Sequence, residues 1–300
     1  MAVSGLALAF ASMGNLLAHY GVVVYYVCGA VSFALLCLWF LKLGFDTAQV
    51  KEELKNPIVL SIMPTVTLPI MLLCVYVKPY VGEAVVAVWW AANIAHFIII
   101  FAFFKRFVFR MKIETVFPSW LICFVAILAS SLTCTEMDAR LFGQVTFYIG
   151  FALLFVAFPI VVYRQIKLRP LPEPARPTIA VFTAPMNFTI VGYFTAFEQP
   201  DASFVYVMLS VAVGIYIAVS VKMVSLVRGR FYPTFAAFTF PYIISAISFR
   251  MSNAFLESAG YGFFAPVAAV SEWIAVGLVA YVMVRYVMYF VSPFSTKRTG

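Results

Sequence analysis

The feature that most limits what this chain can fold into is a succession of ten apolar runs. They lie at about 3–17, 22–43, 58–77, 83–104, 118–134, 140–163, 178–197, 202–226, 233–254 and 263–291, separated by short polar or Pro/Gly-bearing breaks. A helix needs about 20 consecutive apolar residues to cross a bilayer, and ten such runs use up nearly all of the 300 residues. The expected fold is an all-α polytopic membrane protein, one transmembrane domain over 1–300. Only 11% of the residues are charged and 64% are hydrophobic. A soluble domain is usually about a quarter charged, so this chain cannot cover a water-facing surface. That excludes a soluble enzyme, a disordered chain and a secreted disulfide scaffold. The first run is short. No Lys or Arg precedes it, whereas a cleaved signal peptide begins with a basic region, so it reads as a helix.

Basic residues alternate with the runs. Lys42, Lys51 and Lys55 follow the second run, and Lys105, Arg106, Arg110 and Lys112 follow the fourth. Arg164, Lys167, Arg169 and Arg176 follow the sixth, Lys222, Arg228 and Arg230 the eighth, and Arg285, Lys297 and Arg298 the tenth. These are 17 of the 20 Lys and Arg residues; Lys78, Arg140 and Arg250 fall on the other side. Cytoplasmic loops concentrate Lys and Arg, so both termini are expected in the cytoplasm and the protein in a plasma (inner) membrane. The net charge of +8 then reflects orientation, and no nucleic-acid partner is expected. The five cysteines, Cys28, Cys37, Cys74, Cys123 and Cys134, sit in or beside apolar runs without CxxC or Cys/His spacing. They read as buried free thiols, with no metal site. The polar stretch 45–56 is expected to form a short surface helix, and 169–177 (RPLPEPARP) a stiff cytoplasmic linker.

Proline marks the odd-numbered runs. Asn56-Pro57, Phe117-Pro118, Arg176-Pro177 and Tyr232-Pro233 open the third, fifth, seventh and ninth, near 60 residues apart. Proline suits the first helical position, where its missing N–H would have no partner anyway. A second proline follows in three of the four, at Pro64, Pro185 and Pro241. The seventh and ninth runs also share letters, Phe182-Thr183-Ala184-Pro185 and Phe238-Thr239-Phe240-Pro241. The pattern is a repeat of helical hairpins. An interior proline kinks a helix and frees a carbonyl, and in a bilayer that group must face protein or a water-filled cavity. The odd helices are therefore expected inside, lining something, and the even ones outside against lipid. Pro159, in an even run, stands apart from the pattern.

Together with the stretch Ser4-Gly5-Leu6-Ala7-Leu8-Ala9 and the ten-run count, these prolines resemble the TehA / plant slow-anion-channel family, also called the tellurite-resistance/dicarboxylate transporters. The resemblance covers essentially the whole chain. The residues that lead into the first helix in that family are missing here. The resemblance implies five helical hairpins around a quasi-five-fold central pore, with inner odd helices shaped by proline kinks. It further implies a homotrimer with one pore per subunit, and anion conduction. In that family a phenylalanine of the ninth helix blocks the pore, and Phe240, directly before Pro241, matches that position.

The chain has 32 Phe residues, so the residue type alone singles out none. A ring gate works by steric closure and dewetting of a narrow apolar constriction; Phe182 lies earlier in its helix than Phe240 does. Pore-lining or kink positions are Pro64, Pro185, Pro241, Thr183, Thr239 and Ser61. Arg250, near the outer end of the ninth run, either attracts anions at the mouth or snorkels to the headgroups. Glu272, an acid inside the tenth run, reads as an interfacial or structural group paired with a polar partner. His96 in the fourth reads as a hydrogen-bonded packing residue. The sequon Asn187-Phe188-Thr189 falls inside an inner helix. No phosphate loop, catalytic triad or metal-ligand spacing appears, so neither an enzyme nor a cofactor is expected.

Two flux functions and one without flux fit such a chain. A proton-coupled transporter of C4-dicarboxylates or related anions needs a titratable group or a broken helix at the midplane. A passive channel for small monovalent anions does not. The inner runs carry hydroxyls such as Ser61, Thr65, Thr67, Ser119, Thr183, Thr239 and Ser245 but no midplane Asp, Glu, Lys, Arg or His. Recognition of a dicarboxylate would more naturally use Arg. The inventory favours the channel. A structural or sensory membrane protein gives the repeat of kinked helices no purpose.

Overall fold

In the computed structural model the described residues are 3–168, 170–258, 260 and 264–291. Arg169, Lys297, Arg298 and the first residue of the tenth run lie outside them. Among the described residues every regular element is helical. We number the apolar segments α1 (Val3–Leu17), α2 (Val22–Phe45), α3 (Pro57–Val81), α4 (Ala84–Val108), α5 (Trp120–Leu132), α6 (Arg140–Lys167), α7 (Glu173–Ala196), α8 (Ala202–Leu226), α9 (Pro233–Ser258) and α10 (Ala265–Val291). Eight of them are long and apolar enough to cross a membrane, and the chain is a multi-pass membrane protein. The other two, α1 and α5, are shorter. At α-helical rise, the 15 residues of α1 reach only about 22 Å, against about 30 Å of hydrocarbon.

Burial divides the segments into two classes. In the most apolar stretch of α3, α7 and α9, 61% of residues are buried, against 28–33% in α2, α4, α6, α8 and α10. Two-thirds of α1 is buried, and nearly all of α5. Each odd segment packs on the next: α1 on α3, α3 on α5, α5 on α7, α7 on α9, and α9 back on α1. The five odd segments thus close a ring, and the even ones stand outside it with one face uncovered.

Local chemistry sets the helix ends. Asn56 Oδ1 accepts from the Ile58 amide (2.9 Å) beside Pro57, and Asp201 Oδ1 accepts from the Phe204 amide (2.9 Å). Such side chains satisfy amides that have no partner within the helix. Gly21 (φ +134°) and Gly82 (φ +68°) make the reversals into α2 and α4, in a backbone region that disfavours a Cβ. The polar stretch after α2 forms a surface helix, Thr47–Glu53, started by Asp46.

The interior prolines act differently from the kinks expected. Pro64, Pro185 and Pro241 do not bend continuous helices; each stands in the first turn of a new α-helix. Ahead of Pro185 and Pro241 the chain runs as tighter 3₁₀ turns, over Glu173–Thr183 and Pro233–Phe238. Ahead of Pro64 lies a single α-turn, Pro57–Ser61. A proline in the first turn breaks no helical hydrogen bond, because the missing N–H has no acceptor there. Pro159 alone of this set lies within one uninterrupted helix, α6. Cys37 also departs from expectation: it is exposed on the outer face of α2, while the other four thiols are buried.

Candidate functional site

The ring of odd segments encloses a cavity of about 870 Å³, counted with the open space at its mouth. All of its lining residues come from α1, α3, α5, α7 and α9 or from the residue just before α5. At the end where the odd segments begin it is bounded by Ile58, Ser119, Thr178 and Pro233. Deeper in, Leu8 of α1, Leu68 of α3, Ala126 of α5, Phe188 of α7 and Phe240 of α9 face it. These five residues belong to one apolar cluster. The Phe240 ring meets Phe188 edge to face, with centroids 5.9 Å apart and planes at 75°, a favoured aromatic geometry.

Pro64, Pro185 and Pro241 line the cavity. The hydroxyl positions expected beside them do not. Ser61, Thr183 and Thr239 are fully buried in the wall, committed to the backbone where the helices break. Ser61 donates to the Ile58 carbonyl (2.8 Å) or to Ser119 Oγ (2.7 Å), Thr183 to Ala180 (2.9 Å) and Thr239 to Ala236 (2.7 Å). Ile58 and Ala236 also accept backbone amides, from Ile62 (3.3 Å) and Thr239 (3.2 Å), so these short side chains add a second bond to the turn. The hydroxyls that do reach the cavity are similarly engaged. Thr65 bonds the Ile62 carbonyl (2.6 Å) and Ser4 (2.7 Å), Thr178 the Ala175 carbonyl (2.6 Å), and Thr234 the Pro174 carbonyl (2.5 Å). Among the described residues no charged side chain lines the cavity. The interior is therefore neutral and almost wholly apolar.

Arg250 is tied into the protein. One Nη1 donates to the Leu16 carbonyl and approaches His19 Nδ1 at 2.5 Å; Nη2 donates to the Asn15 carbonyl (3.1 Å). Glu272 of α10 lies 3.9 Å from the guanidinium, and its other oxygen is 3.4 Å from His19 Nε2. His19 Nδ1 also lies 3.0 Å from the Leu16 carbonyl, so the guanidinium, the imidazole and that carbonyl meet at one point. Tyr20 joins the group: its hydrogen bond to the Glu272 carboxylate raises the phenol above its ordinary value of 10. The cluster fastens the C-terminal end of α1 to α9 and α10.

His96 and Phe188 carry more of the site's geometry than their types suggested. His96, fully buried on α4, bridges two inner segments, Thr67 Oγ1 of α3 (2.6 Å) and the Ala126 carbonyl of α5 (2.7 Å). Phe188 lies in the discounted sequon. The repeat gave no signal for it: with Pro185 set on Pro241, Phe240 aligns with Ala184 and Phe188 with Ile244. A family model described as SLAC1, voltage-dependent anion channel, matches residues 1–287. No curated protein matches the chain.

Proposed function

Because the chain belongs to the voltage-dependent anion channel family, a family of membrane anion channels and transporters, we propose that it is a passive channel for small monovalent anions, with the ringed cavity as its path. The observation that carries this reading is the cavity's lining: residues of all five odd segments, none of them charged. A neutral apolar wall favours anions that shed water readily and offers no multi-point grip for a dicarboxylate, which would call for Arg. In this reading Phe240 is the gate, its ring closing the narrow end by occlusion and dewetting. Pro64, Pro185 and Pro241 shape the wall, and Thr183, Thr239 and Ser61 hold the broken backbone that carries it. Arg250 secures α9 to α1 and α10, and its part-exposed guanidinium is the group that attracts anions at the outer mouth.

In this reading both termini lie in the cytoplasm, with the cavity mouth on that side, in the plasma (inner) membrane; the basic residues beside the even segments support it. The five hairpins surround a quasi-five-fold axis, and three subunits assemble with one pore each.

Anion flux in liposomes tests the reading. Vesicles with purified protein are loaded with chloride or nitrate and followed at equal and at unequal pH. Flux down the anion gradient, unaffected by a proton gradient, is expected. Uphill accumulation driven by protons would instead establish a secondary transporter of C4-dicarboxylates or related anions, with Glu272 and His96 as the titratable groups to examine.

A further inference from the structure

Segment α5 departs from the pattern of its ring neighbours. It opens as an α-helix over Trp120–Val125 and then runs as 3₁₀ turns over Ala126–Leu132, with neither proline nor glycine in those residues. Alanine and leucine are strong α-helix formers, and 3₁₀ runs longer than a few residues are uncommon. Ile127, Ser130 and Ser131 are weaker formers, but no residue of the stretch forbids an α-helix as proline does, which turns attention to what packs on it.

The break falls at Val125 and Ala126, and both residues line the cavity. Behind them α4 presents Trp89, Asn93 and His96, at a spacing of four and then three residues, so all three share one helical face. Trp89 Nε1 donates to Thr133 Oγ1 (2.8 Å), and Asn93 Oδ1 accepts from Ser130 Oγ (2.5 Å). His96 Nε2 meets the carbonyl of Ala126 itself (2.7 Å). A carbonyl can only accept, so the imidazole hydrogen sits on Nε2. The other ring nitrogen meets Thr67 Oγ1 at 2.6 Å, and that hydroxyl lies 3.1 Å from the Pro64 carbonyl. One imidazole thus connects the break in α5 to the proline-marked break in α3. Leu68, next to Thr67, also faces the cavity.

We propose that His96 is a positioning residue of the pore: it holds the break of α5 by its bond to the Ala126 carbonyl, in the role that proline fills in α3, α7 and α9, and so fixes two of the five walls. It touches no permeating ion. Its effect reaches the path through the backbone at Ala126 and through Thr67 beside Leu68. Losing the donor frees the Ala126 carbonyl and lets the Ala-Leu-rich stretch rewind toward α-helix. Rewinding shortens the segment and rotates Val125 and Ala126 relative to the cavity.

This inference deepens the channel reading and rests on it, so the test has one readout that needs conduction and one that does not. The first is the nitrate-to-chloride permeability ratio in liposomes, measured in Phe240→Ala protein so that the path is open. The second is modification of Val125→Cys by a membrane-impermeant thiol reagent, read at that site by mass spectrometry in protein with Phe240 intact. His96→Leu is expected to shift the permeability ratio and to change the labelling rate at Val125→Cys severalfold. His96→Gln, whose Nε2 can still reach the Ala126 carbonyl, is expected to keep both near the parent values. Trp89→Phe, which removes a rung remote from the lining residues, is the control and is expected to move neither.

Should His96→Leu fail to fold, Thr67→Val decides, because it removes the other partner of the imidazole; a shift in both readouts is expected. Folded His96→Leu with the parent's ratio and labelling overturns the proposal. Equal defects in His96→Gln and His96→Leu, or equal effects of Trp89→Phe and His96→Leu, do so as well. If Phe240→Ala protein carries no current, the gate reading fails while the labelling at Val125→Cys still decides the role of His96.

Discussion

At the scale of single residues, partners decide roles that residue type leaves open. Phe238 and Phe240 are two positions apart, yet Phe238 is fully buried against Phe235 while Phe240 faces the cavity. Phe238→Ala is expected to cost about 3–5 kcal/mol, as buried Phe→Ala does in packed cores, and to lower the yield of folded protein without raising conductance. Arg250 shows the same dependence on partners. Its acceptors, Leu16 and Asn15, lie 234 and 235 residues away in sequence, so no local signal could have identified them. Hydrogen bonds to a charged group contribute about 1.5–3 kcal/mol each. Arg250→Met is expected to lower the thermal stability of detergent-solubilised protein by about 2 kcal/mol. Glu272→Gln is expected to be destabilising too, and the double variant less so than the two single effects added together, because the groups share one cluster. Additive losses in melting experiments would mean that Arg250 and Glu272 act separately.

At the scale of elements, the division into inner and outer segments was legible because proline writes backbone constraints directly into the sequence. The repeated Phe-Thr-x-Pro stretches pointed to the segments that line the cavity. What proline does at those positions was harder to read. A sequence shows that a helix is interrupted, but whether it bends or restarts depends on the turn that precedes the proline. The hydroxyls of Ser61, Thr183 and Thr239 brace those turns, each bonding the carbonyl three residues back. They looked like lining groups because hydroxyls are also what a neutral pore would display. The break in α5 carries no proline in its own letters, and the side chains bonded to it sit on α4.

Close packing of α6 on this irregular stretch depends on glycine. A Cβ added at Gly150 would come within 2.6 Å of Leu128 Cγ and 3.1 Å of the Leu128 amide nitrogen, and one at Gly143 within 2.3 Å of Cys134 Sγ. Real Cβ atoms do not approach so closely, and the 3₁₀ backbone has no slack to give. Gly150→Val is expected to destabilise the protein by about 1–3 kcal/mol, as overpacking does, seen as a lower melting temperature and loss of monodisperse protein. Gly277→Val, where a Cβ meets nothing within 4 Å, is expected to be tolerated.

At the scale of the whole molecule, a ring of five mutually packed segments inside a belt of half-covered ones makes a distinction that chemistry can read. Cysteines introduced along α9 are expected to react with aqueous thiol reagents in a helical pattern centred on the cavity face once the path is open. Those along α8 are expected to stay inert, because lipid does not support the reactive thiolate. The reverse pattern would overturn the inner and outer assignment. The short segment α5 belongs to this scale too: neighbouring segments, and not lipid, surround it.

The central claim joins the cavity, the gate and the flux, and anion conductance of Phe240→Ala protein beside wild type tests it most directly. Both proteins are reconstituted in planar bilayers or liposomes, after each is shown to be folded and monodisperse. Phe240 is only partly buried and faces open space, so removing its ring is expected to leave the fold intact and to raise basal conductance well above wild type. Phe182→Ala and Phe238→Ala are expected to show no such rise. Equal conductance of well-folded wild type and Phe240→Ala protein would contradict the account and place the barrier elsewhere in the ring.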